Sequence, residues 1–448
     1  MTPGELPEEV LAFTLDTTFD ALPVEVTEFA KRCLLDLLGV AAAGRTTELS
    51  ALIHRHAQDH FAAGAEAAPI LFDGTLVSPS GAALAGGMTI DSIDAHDGNK
   101  ITKGHTGCHQ LPALLALFAA ERIDDPREFL AALVVGYEVA TRAGFALHAT
   151  APDYHTSGAW GAVGVAALGG RVLGLSAEAT FHAMGIAEYH GPRSQMMRVI
   201  DHPTMLKDGS GWGAMAGVSA AYLARAGFTG APAVTVNDPA TEAIWADLGT
   251  RWLIFEQYFK PHPVCRWAQP AVEASLALRA QHDLRGVDID AVEVHTFHEA
   301  ARLATNAPTT TEQAQYSLPF PVAAALVRGR LGPEEVTGAA LADPDIASLA
   351  SRVTIAEDAH HNAVFPGTRL ARVCLHLRDG TVVTSSDTEP RGDPEAHLTN
   401  VELLEKFHRF ADPVLGEERS GAIVSAVDGL EHASTLGPLL ALIHDPVG

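Results

Sequence analysis

Three short polar segments hold most of the residues in this chain that could do chemistry. DSIDAHDGNKITKGHTGCH (91–109) carries Asp91, Asp94, His96, Asp97, Lys100, Lys103, His105 and His109. PTMLKDGSG (203–211) carries Lys207, and YFKPHPVCRW (258–267) carries Lys260, His262, Cys265 and Arg266. Only six lysines occur in the 448 residues, and four of them fall in these segments; Lys31 and Lys406 lie in helix-like stretches elsewhere. A lysine ammonium is a compact charge that grips a carboxylate and whose pKa moves readily on desolvation. The formal charge of −25 repels anions at long range, so a cleft that takes an anion must gather local cations.

The titratable groups suit proton transfer. His105 belongs to the one side-chain type that titrates near neutral pH, and Asp94 or Asp97 could orient it. His155, in YHTSGAWG, stands just ahead of a glycine-punctuated helix, where Thr156, Ser157 and Gly158 offer free backbone N–H groups. Lys207 stands in an equivalent place ahead of GSGWGAMAG. Two such helix starts predict a shared anion pocket. The histidines and aspartates of 91–109 are also metal-ligand types, but no HExxH-like spacing links them and the interspersed lysines repel a dication, so no metal is expected. Cys265 lacks a Cys-His signature and reads as a packing thiol. GSGWG fails the dinucleotide-loop pattern at Ala214, and its glycines, like those of GAWGAVG, predict close helix packing.

A succession of helices must position these groups. Apolar residues recur at helical spacing over 24–44, and Asp125 with Pro126 and Glu128 opens a helix over 126–143. Ser176 caps another over 177–188, and 211–230 runs from a glycine-rich start to a glycine stop. Past residue 266 the texture changes. A helix over 271–281 leads into AVEVHTF, whose alternation predicts a strand. ARVCLHLRDGTVVTSS predicts a hairpin turning at Asp379-Gly380, and YSLPFPVAAALVRG a helix with a proline-marked entry. The last 50 residues are helical again, with Thr399 and Glu402 as a capping box behind Leu398. The expected organisation is therefore a helical domain over 1–265, an α+β domain over 266–395, and a segment over 396–448 that returns to the helical domain.

Composition narrows the function classes. The chain has 47% hydrophobic residues and no run of ~20 uninterrupted apolar ones, so no membrane partner is expected. Its acidity and lack of a basic tract argue against nucleic acid. Four cysteines far apart, with no CxxC, indicate neither a zinc knuckle nor a disulfide framework. The acidic N-terminus is unlike an export leader, and a cytoplasmic location is expected.

Together the motifs resemble the MmgE/PrpD family, whose members include 2-methylcitrate dehydratase, cis-aconitate decarboxylase and iminodisuccinate epimerase. The carriers are DAHDG followed by GHTG (94–107), YHTSGAWGAVGVAAL (154–168), PTMLKDGSG, AGFTGAP (226–232), FKPHPVCRW (259–267) and QYSLPFPVAAALVRG (315–329). The resemblance implies a mostly α fold, with a large all-helical domain and a smaller α+β lid domain. It also implies a homodimer without metal or organic cofactor, acting on small di- or tricarboxylic acids. Asp94 takes the place of the family's first active-site aspartate, His105 of its acid/base histidine, His155 of the histidine before the glycine-rich helix, and Lys207 and Lys260 of its carboxylate-binding lysines. Gly98 stands where decarboxylase-like members have threonine, Phe320 replaces a lid tyrosine, Cys265 a histidine, and Lys100 and Lys103 are additional cations. These departures point away from cis-aconitate decarboxylation.

The resulting expectation is a cofactor-independent lyase that dehydrates, or hydrates, a small hydroxy polycarboxylate. Its catalytic set is His105, His155, Asp94 and Asp97, and its substrate-binding set Lys207, Lys260, Lys103 and Arg266. Epimerisation or isomerisation, and decarboxylation, are alternatives in the same pocket. A non-catalytic carboxylate-binding protein and a metal-dependent hydrolase built on 91–109 are readings from other classes.

Overall fold

In a computed structural model, the structure describes residues 8–447. Most of the N-terminal stretch read as unlike an export leader lies outside them. Helices dominate the first 230 described residues. Val24–Gly44, Pro79–Asp91, Gly107–Glu121, Pro126–Thr150, Ser157–Val172 and Ser210–Arg225 pack on one another as a bundle. Small residues let them come close: a methyl group on Gly87 would meet the Gly211 backbone at 2.6 Å, and one on Gly213 would meet Gly158 at 2.5 Å. The glycines of GSGWG and GAWG thus serve helix packing.

Helix Pro126–Thr150 begins as expected, with the Asp125 carboxylate accepting from the Arg127 and Glu128 N–H groups. It continues past the expected end at 143, because its flanks stay apolar and buried. Its mean hydropathy of 1.4 would suit a bilayer, but 94% of its most apolar stretch is buried inside the protein, and it carries the buried ion pair Glu138–Arg142. It is the core helix of the bundle.

The α+β part contains a four-stranded sheet in the order Val353–Glu357, Ile289–Thr296, Ala371–Leu377, Val382–Thr384. The expected strand and hairpin are both present, with Gly380 at φ +89° in the turn. Strand Val353–Glu357 was not expected, and it runs parallel to Ile289–Thr296. A parallel neighbour needs a long crossover, so no local turn signal announces it. Helices Gln269–Gln281, Pro319–Arg328 and Pro344–Ala350 cover one face of this sheet.

Helix Asn400–Leu415 carries the expected capping box and lies against Val24–Gly44 in the bundle, with Phe407 filling the space over Gly39. Lys406 is buried there, bonded to Asp36 and donating to the Ala95 carbonyl at 2.7 Å. A lysine that reads as an ordinary helix residue thus tethers the 91–109 loop from behind. Lys31 also bridges distant segments, meeting Glu431 at 2.9 Å.

Candidate active site

The polar segments converge through a two-residue ladder. Gly98 and Asn99 pair with Tyr258 and Gln257, which brings the 91–109 loop against 258–267. Gly98 is required here, since any side chain would strike the Tyr258 hydroxyl and the Gly104 carbonyl. Asp94, Lys103, His105, Tyr154, Tyr258, Lys260, Cys265, Arg266, Trp267, Tyr316 and Arg369 are among the residues that line the resulting cavity, which has about 20 Å³ of free space, room for roughly one water. Larger grooves occur elsewhere, beside Lys31 and beside Asp73, but neither gathers this set of groups.

Backbone strain marks the same place. Among the described residues six non-glycine residues have positive φ, and three of them are Asp94 (48°), Lys103 (50°) and Lys207 (49°). Each left-handed residue costs roughly 1–2 kcal/mol, and such strain gathers where side-chain direction matters more than backbone comfort.

Lys260 and Asp94 form a fully buried ion pair, Nζ to Oδ1 at 2.6 Å. Burial alone would raise the Asp94 pKa, but Lys260, Lys207 and His105 hold it below its ordinary value. Its other oxygen, Oδ2, is buried without a protein partner. Lys207 donates to Gln315 Oε1 at 2.6 Å and sits 4.7 Å from the centroid of the Tyr316 ring. Gln315 is itself fixed by donating to the Ser92 carbonyl at 3.0 Å.

His105 is held from both sides. Its backbone N–H donates to Ser157 Oγ at 2.9 Å, and its Nδ1 lies 2.5 Å from the Asp97 carbonyl. A carbonyl only accepts, so Nδ1 carries the proton and Nε2 the lone pair. Burial, then Lys260, pushes the His105 pKa down to about 3. The imidazole is therefore neutral at physiological pH and able to accept a proton. Asp97 acts on it through the carbonyl, because the Asp97 carboxylate turns away to accept from Tyr137 Oη at 2.5 Å and the Gly107 N–H at 3.3 Å. Burial raises that carboxyl to about 7.

The expected shared anion pocket at the two helix starts is taken up by the protein's own groups, with the Gly158 N–H donating to the Asp208 main-chain carbonyl at 3.1 Å and carboxylates meeting other donors. Asp91 Oδ2 accepts from the N–H groups of Asp208 and Ser210 at 3.2 and 3.4 Å, and Asp208 accepts from Ser157 Oγ. Burial and the neighbouring Asp91 raise Asp208 to about 7. These acids and hydroxyls lock the two helix ends together behind His105.

The chain matches the MmgE/PrpD N-terminal domain over residues 8–241 and the MmgE/PrpD C-terminal domain over 262–431. The chain belongs to the MmgE/PrpD family. Among its relatives, the cis-aconitate decarboxylase-like protein oryM of Aspergillus oryzae is 24% identical, over 98% of this chain and 97% of the relative. Cis-aconitate decarboxylase of Aspergillus terreus is 23% identical over 98% and 96%, and the Homo sapiens enzyme 24% over 94% and 91%.

Within this family member the candidate residues divide by position. Asp94, His105, Lys260, Lys103 and Arg266 reach the cavity wall, and Lys207 stands close behind Tyr316. His155 is not on the wall: its backbone N–H faces His148, and burial, then Arg193, lowers its pKa. Arg266 is already engaged by Asp393 and by the Arg391 carbonyl at 2.9 Å, so it ties the wall together and has little left to offer a ligand. Lys100 pairs with Asp393 at 3.1 Å and Glu395 at 2.7 Å, outside the cavity. Its neighbour Lys103 lies 4.6 Å over the Tyr154 ring, and burial, the larger effect, with Arg369 lowers its pKa. Burial pushes the Cys265 thiol up to about 12, consistent with a packing thiol.

Several wall residues escaped the sequence reading. Tyr154, Tyr258 and Tyr316 lie inside the quoted motifs, beside the lysines and histidines that drew notice, as does Gln315, which holds Lys207 behind the wall. Arg369 lies in PGTRL (366–370), which has no motif of its own. It is 1% exposed, donates only to the Lys100 carbonyl at 3.2 Å, and keeps Nε and Nη1 free of protein acceptors. A buried guanidinium with two free donors is suited to a carboxylate.

Proposed function

We propose that this protein is a cofactor-independent lyase that removes water from, or adds it to, a small hydroxy di- or tricarboxylic acid. The observation that carries the proposal is His105: a neutral imidazole with Nδ1 locked onto a carbonyl and Nε2 as its remaining base, on the wall of a cavity that also holds Lys260. In this reading Lys260 holds the carboxylate next to the reacting carbon, and Lys207, from behind Tyr316, adds positive potential that helps stabilise the enediolate charge developing as Nε2 takes the α-proton. Arg369, with Lys103, holds a second carboxylate. The low His105 pKa reflects burial and adjacent cations, and a bound polyanion offsets those cations and makes the imidazole a stronger base as substrate arrives. Departing hydroxide needs a proton donor. Tyr258, whose ring meets His105 edge-on with centroids 6.3 Å apart, is better placed for that than His155. Asp94 keeps Lys260 oriented.

The cavity is far below the ~300 Å³ and upward of ordinary ligand pockets, so substrate entry requires movement between the wall segments. The proposed division into 1–265 with 396–448 on one side and 266–395 on the other supplies the natural parting line. The same reading takes the protein as a cytoplasmic homodimer, which light scattering of the purified protein checks for assembly.

Decarboxylation is the second reading, favoured by the names of the relatives. Both begin beside an anchored carboxylate, and so does epimerisation. Incubating 2-methylcitrate, cis-aconitate and other small polycarboxylates with the enzyme in D₂O separates them. Net loss of 18 mass units supports dehydration, and loss of CO₂ with one deuteron gained on carbon, a net loss of about 43, supports decarboxylation. Deuterium uptake alone supports epimerisation, and no change with any acid that binds supports a non-catalytic binding protein.

A further inference from the structure

The sheet of the α+β part turns its second face away from its helices, and three metal-ligating side chains meet there with a fourth beside them. Alternation along the strands buries Val292, Val294, Val373 and Leu375 and leaves Glu293, His295, Cys374 and His376 on the other face, partly buried or exposed. The antiparallel register sets Glu293 directly opposite Cys374. His295 lies two residues further along one strand and His376 two residues further along the other, so the histidines flank the Glu293/Cys374 pair from opposite sides. His295 Nε2 is 3.0 Å from Glu293 Oε1, and His376 Nε2 is 3.8 Å from Glu293 Oε2. The ligand atoms of Glu293, His295 and Cys374 all lie within 4.8 Å of one another.

We propose that these residues form a binding site for a divalent transition metal, zinc being the best fit. Zinc bonds of about 2.0–2.3 Å in a tetrahedron put neighbouring ligand atoms about 3.3–3.6 Å apart; His295 and Glu293 are 3.0 Å apart, and the three ligand atoms lie within 4.8 Å of one another. One thiolate, one imidazole and one carboxylate, with the His376 imidazole 3.8 Å from that carboxylate as the candidate fourth ligand, form a donor set of the borderline softness that zinc prefers over calcium or magnesium. The nearby cation on this face is already neutralised, since Arg372 pairs with Asp358 at 3.1 Å and Asp387 at 3.2 Å. Thr384 Oγ1, 3.4 Å from Cys374 Sγ, donates to the sulfur and fixes its position. Side-chain exposures of 24% for His295, 41% for Glu293 and 44% for His376 make the metal exchangeable. None of the four residues lines the catalytic cavity, so the site braces the two central strands of the sheet without entering the reaction.

The test uses the full chain without a polyhistidine tag, reduced and stripped with chelator, then titrated with Co²⁺. The expected result is one cobalt per chain, with a near-ultraviolet thiolate-to-cobalt charge-transfer band and intense tetrahedral visible bands, both removed by one equivalent of Zn²⁺. Cys374→Ser abolishes the charge-transfer band, His295→Ala weakens cobalt binding at least tenfold, and both keep wild-type turnover. Absence of the band in wild type, or its persistence in Cys374→Ser, overturns the proposal. Should Cys374→Ser fail to fold, unchanged cobalt affinity in both His295→Ala and His376→Ala overturns it equally.

Discussion

Replacing Lys260 by Met tests whether the buried Lys260–Asp94 pair supports both the fold and the chemistry. The side chains are 0% and 2% exposed and 2.6 Å apart, so the substitution strands a buried carboxylate. Removing one partner of such a pair costs about 3–5 kcal/mol. Lys207 also faces Asp94 and offsets part of the loss, which places the expected cost near 3 kcal/mol. With about 2.1 cal/mol/K of unfolding entropy per residue over 448 residues, the melting temperature falls by roughly 3 °C at pH 7. Asp94→Asn added to Lys260→Met removes the stranded charge and brings stability back to within about 1 kcal/mol of wild type. The pH dependence has a fixed sign. In the wild type Asp94 is held below its ordinary pKa, so its contribution is present above the unfolded value of about 3.9 and lost as pH falls through the folded pKa. In Lys260→Met burial raises the pKa and the carboxylate is a penalty at neutral pH. The stability gap is therefore widest near pH 7 and closes toward pH 3. Differential scanning fluorimetry across pH measures it, alongside kcat/KM. Both variants lose activity by ~10–150-fold, the value of a charge-assisted contact of about 1.5–3 kcal/mol. A single variant that melts within 1 °C of wild type, a double variant no more stable than the single, or activity that returns with stability refutes the reasoning.

His105→Ala lowers kcat by ~10²–10⁴-fold, the usual share of one positioned acid or base, while circular dichroism and melting temperature stay near wild type; near-normal turnover removes His105 from the mechanism. Arg369→Met raises KM by ~10–150-fold with a smaller effect on kcat, as expected for loss of binding shared by ground and transition states, and an unchanged KM removes the second carboxylate anchor. Asp97→Asn changes the pH dependence of stability. The wild-type carboxyl is raised to about 7, so its neutral form is favoured fully below about pH 4 and that stability is lost as pH rises to about 7. The wild-type-minus-variant stability difference, from urea unfolding at each pH, accordingly falls across that window; a flat difference refutes the assignment.

Local signals made much of the architecture legible in the sequence. Caps at Asp125, Ser176 and Thr399, the Asp379-Gly380 turn and the switch from helical to alternating periodicity act over a few residues, and each is present in the structure. Strand Val353–Glu357 was not legible, because its partner lies some 60 residues away and parallel. The motif lysines, read as one group, were divided by tertiary structure: Lys103 and Lys260 line the cavity, Lys207 backs it, and Lys100 is paired outside it.

The sequence alone determined which residue types were available and which short segments concentrated them, since composition, caps and turns are properties of neighbouring residues. Tertiary structure alone decided which atoms face one another. It turned His105 Nδ1 onto a carbonyl, gave the Asp208 and Ser210 amides to Asp91, consumed Arg266 in a pairing with Asp393, and brought Arg369 from a segment without a motif to the cavity wall. The physical reason is range. A helix cap is settled by contacts within a turn of the chain, whereas the protonation and availability of a buried charge depend on every group packed around it, wherever those groups lie in the sequence.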